Sequence, residues 1–149
     1  MKSDKTIVYT YGAFDLLHLG HLKLLERAKA LGDYLIVGIV DNKPIRELKG
    51  NDRPIILMKD RLELVKALRC VDRVIYQPEY DPTSVLECIF GNAYNEFNKV
   101  DILAKGDDWD EIPGKETIER LGGKLVKLPY SLGYSTSDIV KRIRGEKND

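Results

Sequence analysis

Histidine is scarce in this sequence: there are two in 149 residues, His18 and His21, three positions apart. Cysteine is equally scarce. Cys70 and Cys88 lie far apart without C-x-x-C spacing, which argues against a disulfide framework or a thiolate metal cage. Both fall in apolar helical surroundings, where a buried, chemically silent thiol is expected. H-x-x-H supplies only two ligands, so zinc is a poor candidate and no metal-ligating side chains are assigned. Neither charge is in excess, since lysine plus arginine and aspartate plus glutamate each number 24. The chain thus lacks the basic surplus used in nucleic-acid binding, and a polyanion would have to be held by a local site. No apolar run approaches the ~18 residues of a membrane span, and no charged-then-apolar leader opens the chain. A cytoplasmic protein without membrane insertion is expected, built as one domain over residues 1–149.

What is present is an alternation of strand-length apolar runs with helix-patterned segments. Strands are expected at Thr6–Tyr11, Tyr34–Val40, Arg73–Tyr76, Asp101–Lys105 and Lys124–Pro129. Most are continuous rather than alternating runs, as in strands covered on both faces. Helices are expected at Gly20–Leu31, Lys59–Arg69, Pro82–Tyr94, Gly114–Leu121 and Thr136–Arg144. Asp81-Pro82 provides a capping residue and a first-turn proline for the third of these. Five β-α units in series imply an α/β fold with a doubly wound, parallel, five-stranded sheet of Rossmann type, whose ligands bind at the carboxyl ends of the strands.

The stretch T-Y-G-A-F-D-L-L-H-L-G-H, Thr10 to His21, follows the first strand and runs through a turn into a helix. Gly12 and Ala13 carry almost no side chain, so a bulky anion can approach the backbone there. His18 and His21 fall on one face of the first helical turn, beside the unpaired N–H groups of the helix start, with Gly20 between them. Two ring donors, free N–H groups and a helix dipole converging on one spot can hold a polyphosphate. Near the other end, Ser135 and Asp138 have the spacing of a capping box. The hydroxyls of Ser135, Thr136 and Ser137 make that helix start a second phosphate cradle. Asp41 to Pro54 is a polar connection, read as a solvated loop or a lid. Phe90, Tyr94 and Phe97, at helical intervals, suit packing or a subunit contact.

T-Y-G-A-F-D-L-L-H-L-G-H resembles the signature of the nucleotidyltransferases that transfer a nucleoside monophosphate to a phosphorylated acceptor. The resemblance is to the cytidylyltransferases acting on glycerol 3-phosphate, phosphoethanolamine and phosphocholine, and to the heptose 1-phosphate adenylyltransferases, over about residues 6 to 144. Class I aminoacyl-tRNA synthetases share the two histidines, but this chain is too short for one and has no K-M-S-K-S loop. The resemblance implies that His18, His21 and Lys49, the last in K-G-N-D-R-P, are catalytic. It implies a nucleotide site at Tyr11, Gly12, Ala13, Phe14, Lys105, Asp107, Ser135, Thr136 and Ser137. Asp15, Arg61 and Trp109 are the implied acceptor contacts, with Arg61 near the acceptor phosphate and Asp15 able to orient a histidine or approach the metal. The cytidylyltransferases carry R-T-E-G where this chain has Y-S-L-G. Tyr130 stands in place of their arginine, and Lys105 is the nearest replacement cation.

The implied reaction is in-line attack of an acceptor phosphate on the α-phosphorus of a nucleoside triphosphate, with Mg²⁺ as bridging counter-ion. G-D-D-W and S-T-S-D-I-V favour CTP with an acceptor such as glycerol 3-phosphate. The alternative is ATP with a sugar 1-phosphate such as heptose 1-phosphate, and the non-enzymatic alternative is a nucleotide-binding regulatory module. A homodimer is expected by the same resemblance.

Overall fold

The computed structural model describes residues 4–129 and 135–146. Its elements run β1 (Ile7–Gly12), α1 (Leu19–Lys29), β2 (Tyr34–Val40), α2 (Asn42–Lys49), α3 (Met58–Lys66), β3 (Arg73–Gln77), α4 (Thr83–Phe90), β4 (Ile102–Gly106), α5 (Lys115–Arg120), β5 (Lys124–Leu128) and α6 (Thr136–Ile143). All strand pairs are parallel, in the order β3-β2-β1-β4-β5. The expected doubly wound, Rossmann-like sheet is therefore present, with its switch point between β1 and β4.

The continuous apolar strands are explained by two core layers. Ile7, Tyr9 and Tyr11 of β1 pack with Leu86 and Ile89 of α4 and Ile118 of α5. Val8, one position out of phase, packs on the other side with Leu25 and Ala28 of α1 and Val65 of α3. Successive side chains of a strand point to opposite faces, so a sheet sandwiched between helices needs apolar residues at both phases.

Three expectations are corrected. The polar connection after β2 is not a loop throughout: Asn42 to Lys49 form α2, whose single buried residue is Ile45, and Asp41 caps it by accepting from Asn42 N at 2.7 Å. A helix with one apolar anchor carries too little 3.6-residue periodicity to be read from sequence. The third expected helix stops at Phe90, because Asn92 takes a left-handed φ of 63°; Tyr94 and Phe97 instead stack on each other at 5.5 Å, against the core. Cys88 is exposed on α4 rather than buried, whereas Cys70 is half-buried and packs against the α1–α3 layer.

One buried polar network crosses the α4–α5 layer toward the strand ends. Tyr9 Oη donates to Gln77 Oε1 at 2.5 Å, and Gln77 Nε2 donates to the carbonyls of Glu79 and Tyr80 at 3.0 and 3.1 Å. Gly38 makes room for it, since a Cβ there would lie 2.0 Å from Tyr9 Oη. The turn after β3 is thereby fixed from below.

Candidate active site

The two histidines start α1 as well as facing its open end. His18 is the N-cap, with φ −136° and ψ 178°. Its Nδ1 accepts from Gly20 N at 3.1 Å, and Nδ1 of His21 accepts from His18 N at 3.2 Å. This is a capping box in which imidazoles stand where serine and glutamate usually do. An Nδ1 that accepts a backbone N–H holds no proton, so the neutral ring carries its hydrogen on Nε2. Both Nε2 atoms are therefore donors. The rings stack at 3.8 Å and 25°, and Phe14, buried in the turn with φ 53°, sets its ring at 67° to His21, 5.5 Å away. Phe14 thus supports a histidine rather than lining a nucleotide.

Burial, then the neighbouring His18, Lys49 and Lys105, push the His21 pKa down to about 3, and burial lowers that of His18. A histidine whose pKa falls on folding stabilises the fold fully above about pH 6.5. That contribution is lost as the pH drops toward 3 and the unfolded chain takes up the proton. Nitrogen-15 spectra should accordingly show both rings as the neutral Nε2–H tautomer at pH 7, with His21 unchanged down to pH 5. Two rings titrating together near pH 6.5 would contradict the capping box.

The start of α6 is drawn to the same place. Ser135 Oγ accepts from Asp138 N at 3.0 Å, as the spacing predicts. Thr136 Oγ1 donates to the Asp15 carbonyl at 2.9 Å and lies 3.4 Å from His18 Nε2, with its lone pairs left to meet that N–H. Ser137, beside it, is exposed. Tyr130, the residue in place of the family arginine, lies outside the described residues.

Other expected ligands have structural employment. Asp15 is 1% exposed and accepts from Ile55 N at 2.7 Å and Ile56 N at 2.8 Å, with Arg53 Nε at 3.4 Å. It pins the segment after α2 and orients no histidine. Arg61 is 0% exposed; Nε donates to Ile56 O, Nη1 to the carbonyls of Ala13 and Val40, and Nη2 to Asn42 Oδ1, all at 2.7–2.8 Å, with Met58 Sδ at 3.8 Å from Nη2. Its five N–H groups are thus occupied, so it ties the β1 and β2 ends to α3 and offers nothing to an acceptor phosphate. Tyr11 is buried, its hydroxyl donating to Pro113 O at 2.6 Å. Gly12 is needed less for an anion than for the Phe14 ring, which lies 3.3 Å from where its Cβ would be.

Lys105 is not a strand-end lysine reaching into solvent. It is 8% exposed, donates from Nζ to Tyr11 O at 2.6 Å and sits 4.2 Å from the centre of the Tyr11 ring. Burial lowers its pKa to about 8, against the opposing pull of Asp108. Lys49 ends α2 at an exposed position, and the partial burial of its ammonium, with Arg53 next in effect, lowers its pKa as well. Asp107 is exposed, its N–H donating to Leu128 O at 2.8 Å. Trp109 stacks on Tyr80 at 5.3 Å and 27°, and Tyr80 in turn meets the edge of Tyr11 at 6.0 Å. Tyr80 and Arg53 were not singled out from sequence. Arg53 lay within K-G-N-D-R-P, but Tyr80 sat in a stretch with no motif. Among the described residues no group of three or more metal-ligating side chains forms.

The histidine pair, the α6 hydroxyls, Lys49 and Lys105 thus gather at the carboxyl edge of the sheet, at its switch point. The cytidylyltransferase-like profile matches residues 9–142. The bifunctional protein HldE of Helicobacter pylori strain HPAG1 is 42% identical over 98% of this chain and 29% of its own length. That of Syntrophotalea carbinolica is 38% identical over 95% of this chain and 28% of its own. The chain spans less than a third of the length of these curated relatives. In crystal structures, the lipopolysaccharide core biosynthesis protein of Thermoplasma volcanium superposes with a TM-score of 0.68 at 30% identity, covering 85% of this chain and 98% of that one. A match that takes in both histidines, the whole sheet beyond the first residues of β1 and the hydroxyl-bearing helix start makes this chain a member of the cytidylyltransferase-like family.

Proposed function

We propose that this domain transfers AMP from ATP to a sugar 1-phosphate, heptose 1-phosphate being the leading candidate, with release of pyrophosphate. An acceptor phosphate oxygen forms the new bond to the α-phosphorus, and the bond from that phosphorus to the bridging oxygen of the β-phosphate breaks. The acceptor is already anionic, so the site has to position it and to stabilise charge on the equatorial oxygens rather than remove a proton. The observation that carries the reading is the pair of Nε2–H donors at the mouth of α1, held neutral and correctly oriented by their own capping bonds. Fixed donors aimed at developing charge need no reorganisation during reaction. Lys49 supplies a positive charge near them, and the start of α6 supplies hydroxyls for the phosphate tail. Mg²⁺, when bound, would neutralise phosphate charge; it usually keeps several waters and takes few protein ligands, so a site with no three-residue cage among the described residues fits an ion arriving with the triphosphate. Asp15, committed to backbone N–H groups, is not one of its ligands.

CTP with glycerol 3-phosphate, the pairing favoured by G-D-D-W, gives way here to the alternative. The HldE relatives match along nearly the whole chain, and one structural relative is a lipopolysaccharide core biosynthesis protein. The sequence resemblance to heptose 1-phosphate adenylyltransferases, including Lys105 before glycine, points the same way. Pyrophosphate release measured with ATP or CTP against heptose 1-phosphate, hexose 1-phosphates and glycerol 3-phosphate decides the matter. ATP with a sugar 1-phosphate should be the fastest pair, and faster turnover of CTP with glycerol 3-phosphate would overturn the proposal.

A further inference from the structure

The ladder between β1 and β4 is the shortest in the sheet. It pairs Val8 with Ile102 and Tyr9 with Leu103, whereas β1 stays paired with β2 as far as Gly12 and β4 with β5 as far as Gly106. Above Tyr9 the two central strands part, at the switch point where sheets of this kind open their ligand crevice. Ile7 turns its N–H and C=O toward β4, where they meet the carboxylate and the N–H of Asp101. Strand alternation puts the Tyr11 carbonyl on the same side, beyond the last β1–β4 pair. A buried carbonyl needs a donor. Here a side chain supplies it: Lys105 Nζ, at 2.6 Å, from the β4 position that a continued register would set opposite Tyr11.

We infer that Lys105 is a positioning residue, whose side chain stands in for the missing main-chain rungs, keeps β1 and β4 apart at the crevice and fixes the turn that holds Phe14 against His21. The inference rests on the proposed reaction for its effect on rate, and on the strand geometry for the rest.

The turn is short enough to feel that hold. Phe14 is three residues beyond Tyr11, and between them the Ala13 carbonyl is held by Arg61 Nη1 at 2.7 Å. Phe14 adopts a φ of 53°, a conformation that a bulky L residue keeps only where its surroundings impose it. Lys105 and Arg61 impose it from either side of Gly12, and the Phe14 ring then meets that of His21 at 5.5 Å. A lysine suits the place because Nζ lies 4.2 Å from the centre of the Tyr11 ring, so the ammonium gains a second favourable contact while reaching the carbonyl. The rival role, a cation for the triphosphate, asks an 8% exposed group to serve a ligand while it is bonded to main chain.

Lys105→Met keeps the stem and removes the donor; because it also removes a buried charge, the variant should fold. Its kcat should fall about tenfold, with KM for ATP and for the sugar 1-phosphate within about twofold, since a displaced histidine loses contacts made in the transition state. In the free protein, the nuclear Overhauser contact between the Phe14 and His21 ring protons should weaken severalfold, a readout into which neither substrate nor turnover enters. Lys105→Arg retains a donor for the carbonyl, and its Phe14–His21 contact and its kcat should recover together. A rise of about tenfold in KM for ATP with the ring contact intact would overturn the inference and make Lys105 a triphosphate cation. A fall in kcat with the contact intact would overturn it too, by showing that the charge acts on the reaction directly, and so would an arginine variant with the wild-type contact and the rate of the methionine variant. Should no triphosphate release pyrophosphate with any acceptor, the proposed reaction fails, and the ring contact in Lys105→Met still decides the positioning role.

Discussion

Replacing His21 with alanine should lower turnover at saturating substrates by about a hundredfold or more, the usual cost of removing one donor to developing negative charge, ~3 kcal/mol. His18→Ala should do the same, with an added loss of about 1 kcal/mol in stability because the helix cap goes with it. The two effects separate in His18→Asn. Asparagine is itself a preferred N-cap and retains an acceptor for Gly20 N, but its side chain is too short to put a donor where Nε2 stands. This variant should unfold at nearly the wild-type urea midpoint and still be about a hundredfold slow. Near wild-type turnover in His21→Ala or His18→Asn would remove the histidines from the catalytic machinery.

Arg61 should matter to stability on a comparable scale. Its guanidinium satisfies three backbone carbonyls and the Asn42 side chain inside the protein. Buried acceptors left without donors cost about 1–3 kcal/mol each, and breaking a buried charged network typically costs ~3–5 kcal/mol. That is a large part of the ~5–15 kcal/mol separating folded from unfolded domains, so Arg61→Ala is at risk of not folding at all. Arg61→Lys is the informative variant. An ammonium keeps the charge but cannot reproduce the planar fork, and it should still lose ~2–3 kcal/mol in urea denaturation. Wild-type stability combined with a large rise in the acceptor KM would instead restore Arg61 to the acceptor phosphate, where the family resemblance had put it.

The contrast between these residues shows what could be read from the chain. His18 and His21 were legible because their spacing on a helix start constrains both position and chemistry at once. The sheet was legible because β1, β2 and β4 are apolar at both phases. Arg61 and Asp15 are placed differently from what the resemblance implies for a common reason: motif resemblance says that a residue is needed, whereas the partners that satisfy it lie 38, 40 and 41 positions away in the case of Asp15, and in that of Arg61 at Ala13, at Val40 and Asn42, and at Ile56. α2 was missed because one buried isoleucine leaves no period to detect. Tyr80 was missed because its place is set by Gln77, through side-chain bonds to main-chain carbonyls that have no sequence signature.

α6 has no buried residue. Among the described residues its polar ties are Thr136 to the Asp15 carbonyl and His18 at one end, and at the other an exposed ion pair between Arg144 and Asp52. An element without a fully buried side chain can detach at lower cost than the core helices while the sheet stays intact, since it gives up hydrogen bonds that water can replace and the partial burial of Ile139 and Val140. The hydroxyls expected to grip the phosphate tail are thus carried by one of the least anchored helices of the domain. A ligand that spans α1 and α6 supplies part of the adhesion that the core does not, so binding and the seating of α6 are thermodynamically linked. Ionic strength acts on that linkage twice, by screening the phosphate and by loosening the Arg144–Asp52 latch.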